Sequence, residues 1–411
     1  MVFRTVATRP LSTLATAVSV LMLASACTSG GTSTSDAATQ EPVEPVTFSA
    51  NVDDQAVDVG VDTVVSVAAQ NGQVLNGELA SKDGKDVVAG RVAGDSWVAG
   101  ERLEPATTYV LRVSASGTDG QDRTLNSTFT TQQLRLDQQT YPSVAPLADE
   151  TVGVGMPVIV TFDIPIKNRA LFERNMRVTS SADVEGSWSW FSDRVVHYRP
   201  KEYWPANTKV NVSLKLNGLP AGDGIFGQQD QNVDFTIGRK AVSTVNIAKH
   251  TLTLAIDDKK VRTVPVTAGD NGHRTREGTK VIMEKFSSID MDAATTGVDS
   301  EDPDYYNISD VRWAMRVTNS GEFLHAAPWS AGSQGSANVS HGCTGMSTAN
   351  AGWLYKQSRR GDVVEFTYSP RSLEERNGWT DWNDSWADWT QRSALYREAP
   401  EEPAASSSAP A

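Results

Sequence analysis

Between residues 46 and 239 the chain never holds one hydrophobic period for long. Short runs of alternating apolar and polar residues are cut by Gly, Asp and Asn. Examples are Tyr109-Val110-Leu111-Arg112-Val113 and Val158-Ile159-Val160-Thr161-Phe162-Asp163-Ile164. A period of two puts alternate side chains on opposite faces of a strand, and short strands at close spacing predict β-sandwiches. A weak internal repeat divides the region. Pro105-Ala106-Thr107-Thr108 leads into the strand at Tyr109, and Pro205-Ala206-Asn207-Thr208 leads into Lys209-Val210-Asn211-Val212-Ser213-Leu214. Each copy closes on a Phe-Thr strand, at Phe129-Thr130 and Phe235-Thr236. Two immunoglobulin-like modules are therefore predicted, 46–136 and 137–239, with the task of spacing and orienting the third domain.

Charge narrows the partners. The chain of 411 residues carries a formal net charge of −13. No nucleic acid is expected as partner, because a phosphate backbone needs a basic footprint. The N-terminus reads as an export signal: Arg4 and Arg9, then a largely apolar run from Leu11 to Ala26. Such a run is short for a membrane span and suits a cleaved signal peptide, 1–26. Leu23-Ala24-Ser25-Ala26-Cys27 resembles a bacterial lipobox, with Ala24 where Leu is usual. That resemblance implies lipidation of Cys27 and a membrane contact through the N-terminal lipid. The segment 27–45 is rich in Ser, Thr, Gly and Pro and reads as a flexible linker. The expected location is the outer face of the cell membrane, reaching into the cell wall.

The third domain, 240–369, is predicted as β-rich with a short helix. The runs 245–254 and 260–266 flank Asp257-Asp258 as strand, turn and strand. Further strands are expected at 280–284 and 310–317, then Glu322-Phe323-Leu324-His325 after the turn Asn319-Ser320-Gly321. Ser347 is a good N-cap for a helix from Thr348 to Arg360, with Gly361 as its stop. Asp362–Tyr368 then reads as a final strand. A Trp-rich extension, 370–397, carries Trp379, Trp382, Trp386 and Trp389 at helical spacing, expected to pack on the third domain. A carbohydrate-stacking platform is the sharper alternative. The tail 398–411 is low in complexity and reads as disordered.

The chemistry gathers around one thiol. The chain has two Cys and five His. With Cys27 lipidated or removed, Cys343 stands alone in an exported protein, where cysteines usually pair. Ser340-His341-Gly342-Cys343 puts His341 and Cys343 on one face of an extended segment. An imidazole there can take the thiol proton and hold the thiolate as an ion pair. Gly342 leaves backbone N–H groups open to an approaching carbonyl oxygen, as an oxyanion hole requires. His-x-Cys alone is a weak signal; a buried Cys beside a structural His is the commoner arrangement.

His325, followed fifteen positions later by Ser340-His341-Gly342-Cys343, resembles the signature of L,D-transpeptidases of the YkuD domain family. Ala327-Pro328-Trp329-Ser330 and Arg359-Arg360-Gly361-Asp362-Val363-Val364-Glu365 look like the actinobacterial branch, which carries a lipobox, immunoglobulin-like modules and a Trp-bearing extension. The resemblance implies the reaction. Cys343 attacks the carbonyl joining meso-diaminopimelate to D-alanine in a peptidoglycan stem peptide. A thioester forms, D-alanine leaves, and an acceptor stem's amine resolves it as a 3→3 cross-link. His341 is implied as base, its other ring nitrogen held by the Ala326 carbonyl, with His325 lining the pocket. Further implied substrate contacts are Ser320 and Gly321 in a lid hairpin, Met291 in the donor pocket, Tyr306 near the oxyanion, Ser340, and Gly345 where relatives often have Asn. Carbapenem inhibitors are expected to acylate Cys343.

Two alternatives stay open on the sequence: a sortase-like protein-anchoring transpeptidase, and a catalytically inactive wall-binding lipoprotein. His325, His341 and Cys343 could also supply three zinc ligands. No metal and no cofactor are expected.

Overall fold

The computed structural model describes residues 43–396. The leader, Cys27, most of the linker and the tail lie outside the described residues. No helix among the described residues is long and apolar enough to cross a membrane.

The first module is two four-stranded sheets. One runs Thr47–Ala50, Ser66–Gln70, Ser96–Ala99, Gly90–Ala93; the other runs Val87–Val88, Gly72–Ser81, Thr108–Gly117, Asp122–Thr130. Alternation sets the inner faces: Tyr109, Leu111, Val113 and Ala115 are fully buried, with Trp97 and Phe129 beside them. Trp97 fits because two glycines make room. A Cβ on Gly77 or Gly90 would collide with the indole.

The second module repeats the plan. Pro142–Ala145, Val158–Phe162, Val195–Pro200 and Gly186–Trp190 form one sheet; Thr151–Val152, Gln231–Ile237, Lys209–Leu214 and Met176–Ser180 form the other. A small ribbon pairs Pro220–Gly222, Ile225–Gly227 and Gln139–Thr140. Phe162, Phe172, Trp188, Trp190 and Trp204 fill the centre. A short helix, Arg169–Arg174, is not foreseen from the sequence, because six residues cannot display a helical period.

The third domain also has two sheets. Lys259–Pro265, Thr251–Ile256, Ala241–Asn246, Val363–Thr367 and Gly278–Val281 make the first. Glu284–Asp292, Asn307–Arg316, Phe323–Ala326 and Thr344–Met346 make the second. The run expected as one strand over 245–254 is two strands. The chain turns at 247–250, where His250 takes φ 55°. The helix is Thr348–Gln357, capped by Ser347, whose hydroxyl accepts from Asn350 N at 3.2 Å. It ends before the predicted Arg360.

The Trp-rich extension departs from expectation. Its tryptophans do not share one helix: Trp382 sits in the turn Asp381–Asn383, while Trp386 and Trp389 belong to the helix Trp386–Gln391. They pack largely on the second module rather than only on the third domain. The Arg199 guanidinium lies 4.8, 5.4 and 4.6 Å from the rings of Trp382, Trp386 and Trp389. Trp389 is fully buried and donates to Ser187 O at 3.0 Å. Trp382 meets Tyr203 edge-on at 4.7 Å. Arg199 thus covers one face of each of these three rings.

Candidate active site

The second sheet of the third domain builds the site. Phe323–Ala326 and Thr344–Met346 pair in parallel, with Leu324 opposite Thr344 and His325 opposite Gly345. The chain reaches Thr344 through Ser340-His341-Gly342-Cys343, which delivers Cys343 beside the start of the neighbouring strand. Gly342 has φ 121°, a backbone conformation that favours glycine. Thr275 Oγ1 donates to Gly342 O at 2.7 Å, and Ser340 Oγ donates to Cys343 O at 2.6 Å. Gly342 N in turn donates to Ser340 Oγ at 3.1 Å. The Gly342 amide is thus engaged by Ser340.

Cys343 is a free cysteine, 9 % exposed, and lines a cavity of about 370 Å³. Its thiol donates to Gly321 O at 3.5 Å. Burial pushes the thiol up to about 12, against a backbone hydrogen bond from Phe323 that favours the thiolate. The resting group is therefore a neutral thiol.

His325 is buried and lines the same cavity. Its Nδ1 donates to the Ala326 carbonyl at 2.8 Å, which leaves Nε2 as the ring's acceptor. Burial holds this imidazole below its ordinary pKa, so it is neutral near pH 7. Trp329 stacks on it at 5.9 Å between ring centroids. The expectation from the sequence is corrected here. The carbonyl at residue 326 orients His325 and not His341. The reason is local: Ala326 follows His325 on the same strand, whereas His341 comes before its own strand, which begins at Thr344.

His341 is exposed at the cavity mouth. Its ring lies 4.5 Å from that of His273 and 5.2 Å from that of Tyr306. Met291, Tyr306, Ser340 and Gly345 also line the cavity. Burial pushes the Tyr306 phenol up to about 12, so it keeps its proton. Gly345 exchanges two backbone hydrogen bonds with Thr267, both 2.9 Å, and a Cβ there would sit 2.8 Å from that of Ala327. Close approach of Ala327 and Thr267 thus favours glycine at this position.

Ser320 and Gly321 fare differently. Ser320 N donates to Asn377 Oδ1 and its hydroxyl accepts from Asn377 Nδ2, both 2.9 Å. Ser320 is thereby tied to the extension and does not line the cavity. Gly321 acts through its carbonyl on the thiol. Beneath it lies a network that the sequence does not announce. Glu322 is buried between Lys280, which is fully buried, and Arg276 at 2.9 Å. Isolated charges at 276, 280 and 322 carry no local signal of convergence.

Comparison with known proteins places the chain in a family. Residues 56–220 match the bacterial Ig domain family, and residues 240–366 match the L,D-transpeptidase catalytic domain, YkuD. L,D-transpeptidase 2 of Mycobacterium tuberculosis (strain CDC 1551 / Oshkosh) is 35% identical over 345 residues, covering 83% of each chain. The chain belongs to the L,D-transpeptidase family. L,D-transpeptidase 5 of Mycobacterium tuberculosis (strain ATCC 25618 / H37Rv) is 38% identical over 354 residues, covering 83% of this chain and 76% of its own. A solved structure of the L,D-transpeptidase LdtMt1 in complex with imipenem aligns with a TM-score of 0.50 at 33% identity, over 56% of this chain and 99% of that one. This L,D-transpeptidase is mainly β, with Ig-like structure ahead of a YkuD-type catalytic domain.

Proposed function

We propose that this L,D-transpeptidase cross-links peptidoglycan stem peptides through a thioester on Cys343, with His325 as the base. One observation carries the reading. A buried neutral imidazole, its Nδ1 committed to Ala326 O, shares a cavity with a buried neutral thiol. An acceptor nitrogen beside a protonated thiol is the arrangement general-base attack requires.

His325 Nε2 takes the thiol proton as Sγ bonds to the carbonyl carbon between diaminopimelate and D-alanine. The C–N bond then breaks, and the proton passes from His325 to the departing D-alanine amine. The acceptor's side-chain amine attacks the thioester, gives its proton to His325, and forms the 3→3 amide. The Cys343 sulfur leaves and recovers the proton from His325. Tyr306, still protonated, can donate to the oxygen that becomes negative in each step. His341 stays at the mouth as a substrate contact.

A strained cyclic amide such as a carbapenem offers the same carbonyl and acylates Cys343 in place of a stem. Lipidation at Cys27, and work at the outer face of the membrane within reach of the wall, complete the proposal.

The test is mass spectrometry after mixing with imipenem, then identification of products from tetrapeptide stems. An adduct that disappears in Cys343→Ala supports the thioester. His325→Gln should slow acylation about 100-fold or more, and His341→Gln much less. The reverse ranking would return the base to His341.

A further inference from the structure

Three loops meet at the mouth of the cavity. His273 comes from the loop before Gly278–Val281, Asp304 from the connection between Glu284–Asp292 and Asn307–Arg316, and His341 from the segment entering Cys343. Each can offer one ligand atom, and those atoms lie within 4.8 Å of one another. His273 Nε2 and Asp304 Oδ2 are already 3.0 Å apart. Tetrahedral zinc, with bonds of about 2.0–2.1 Å, sets its donors roughly 3.3 Å apart. Asp304 and His341 are exposed, so small rotations can close the remaining gap.

A second observation concerns orientation. His273 Nδ1 donates to Asp270 Oδ1 at 3.1 Å. Asp270 Oδ1 is itself fixed by the backbone amides of Gly272 and His273, both at 2.8 Å. A carboxylate behind the far nitrogen of an imidazole is the usual support of a metal-bound histidine, and it turns Nε2 toward the metal. Proton transfer between Cys343 and His325 needs none of these groups.

We propose that His273, Asp304 and His341 form a zinc-binding site, with Asp270 orienting His273 and a solvent molecule completing the shell. Two histidines and a carboxylate suit zinc. The ion joins Asp304, two positions before Tyr306, to His341, two positions before Cys343. Bound zinc therefore pins the 297–306 connection across the cavity mouth and slows entry of acyl donors. The binding half of this inference does not depend on which histidine is the catalytic base.

The experiment is zinc titration calorimetry on the purified full chain, with visible absorption of the cobalt(II) form as a second readout. Wild type should bind a single zinc ion, and its cobalt form should show ligand-field bands without thiolate charge transfer. Asp304→Asn and His273→Gln should each weaken zinc at least about tenfold, and Asp270→Asn should weaken it too. Cys343→Ala should bind as wild type does. In imipenem acylation, zinc should slow wild type and leave the rate of Asp304→Asn unchanged. Absence of zinc binding by the folded wild type overturns the site. So does binding that survives Asp304→Asn and is lost in Cys343→Ala, since that assigns the ion to the thiol.

Discussion

The two Ig-like modules share a plan but not a relation to the enzyme. The first closes its core on itself: every residue of that core lies between Val46 and Phe129. It meets the second module through polar contacts such as Asn217 Nδ2 to Glu104 Oε1 at 2.7 Å. The second does not close alone. Its core includes Val363 of a catalytic-domain strand, with Val242, Trp379 and Ala394 packed against it. Gly153 N and Gly155 N donate to Arg360 O and Gly361 O, and a Cβ on either glycine would collide with this segment. The extension then ties the two together from outside. A module with a private core can act as a spacer, whereas one that shares its core is part of the catalytic body.

The largest effects should come from removing one buried tryptophan on each side. Trp97→Ala and Trp389→Ala should each cost about 3–5 kcal/mol. Calorimetry combined with imipenem acylation during heating separates them. Trp97→Ala should lower only an early transition and leave acylation intact at moderate temperature. Trp389→Ala should lower the transition in which acylation is lost. Equal loss of acylation in both variants would break the contrast between the modules.

A smaller effect is expected at the buried His197–Asp381 contact, 2.8 Å, which joins the second module to the extension. Asp381→Ala leaves Nδ1 without its partner and should cost about 1–3 kcal/mol. That loss should appear in the same transition as Trp389→Ala.

Acidity sharpens the contrast further. Burial pushes the Asp362 carboxyl, at the seam beside Gly153, from 3.8 up to about 7. The folded state keeps a proton there that the unfolded state has already lost. Stability from this group is present below about pH 4 and falls as pH rises through about 7. The Tm of wild type relative to Asp362→Asn should therefore decline across that window. A flat difference would mean the carboxyl is ionised throughout.

The smallest effect belongs to the exposed contact between modules, Lys215 to Glu101 at 3.9 Å. Glu101→Gln should change stability by less than about 0.5 kcal/mol, because water screens both groups. A larger change in unfolding experiments would show the first module to be coupled after all.

Much of this arrangement was legible from the residues. Alternation located the sandwich strands, because the side-chain period of a strand is a property of the chain itself. Ser347 marked its helix for an equally local reason, a hydroxyl within reach of an amide three residues on. The solitary Cys343 and its two neighbouring histidines located the chemistry. The error at 247–250 was also local: a mixed run of apolar and polar residues cannot by itself reveal a left-handed residue at His250.

By itself the sequence determined most of the strands, the order of Ig-like structure and catalytic domain, and which residues were candidates for the chemistry, since all of these depend on nearest neighbours along the chain. Only the tertiary structure decided that Ala326 O turns His325 rather than His341, that Ser320 is taken by Asn377, and that the tryptophans close round Arg199. It alone brought His273, Asp304 and His341 together. Each of these rests on which strand lies beside which, and on where a loop leaves its sheet. Those distances are set by the packing of whole sheets, and no spacing within the chain encodes them.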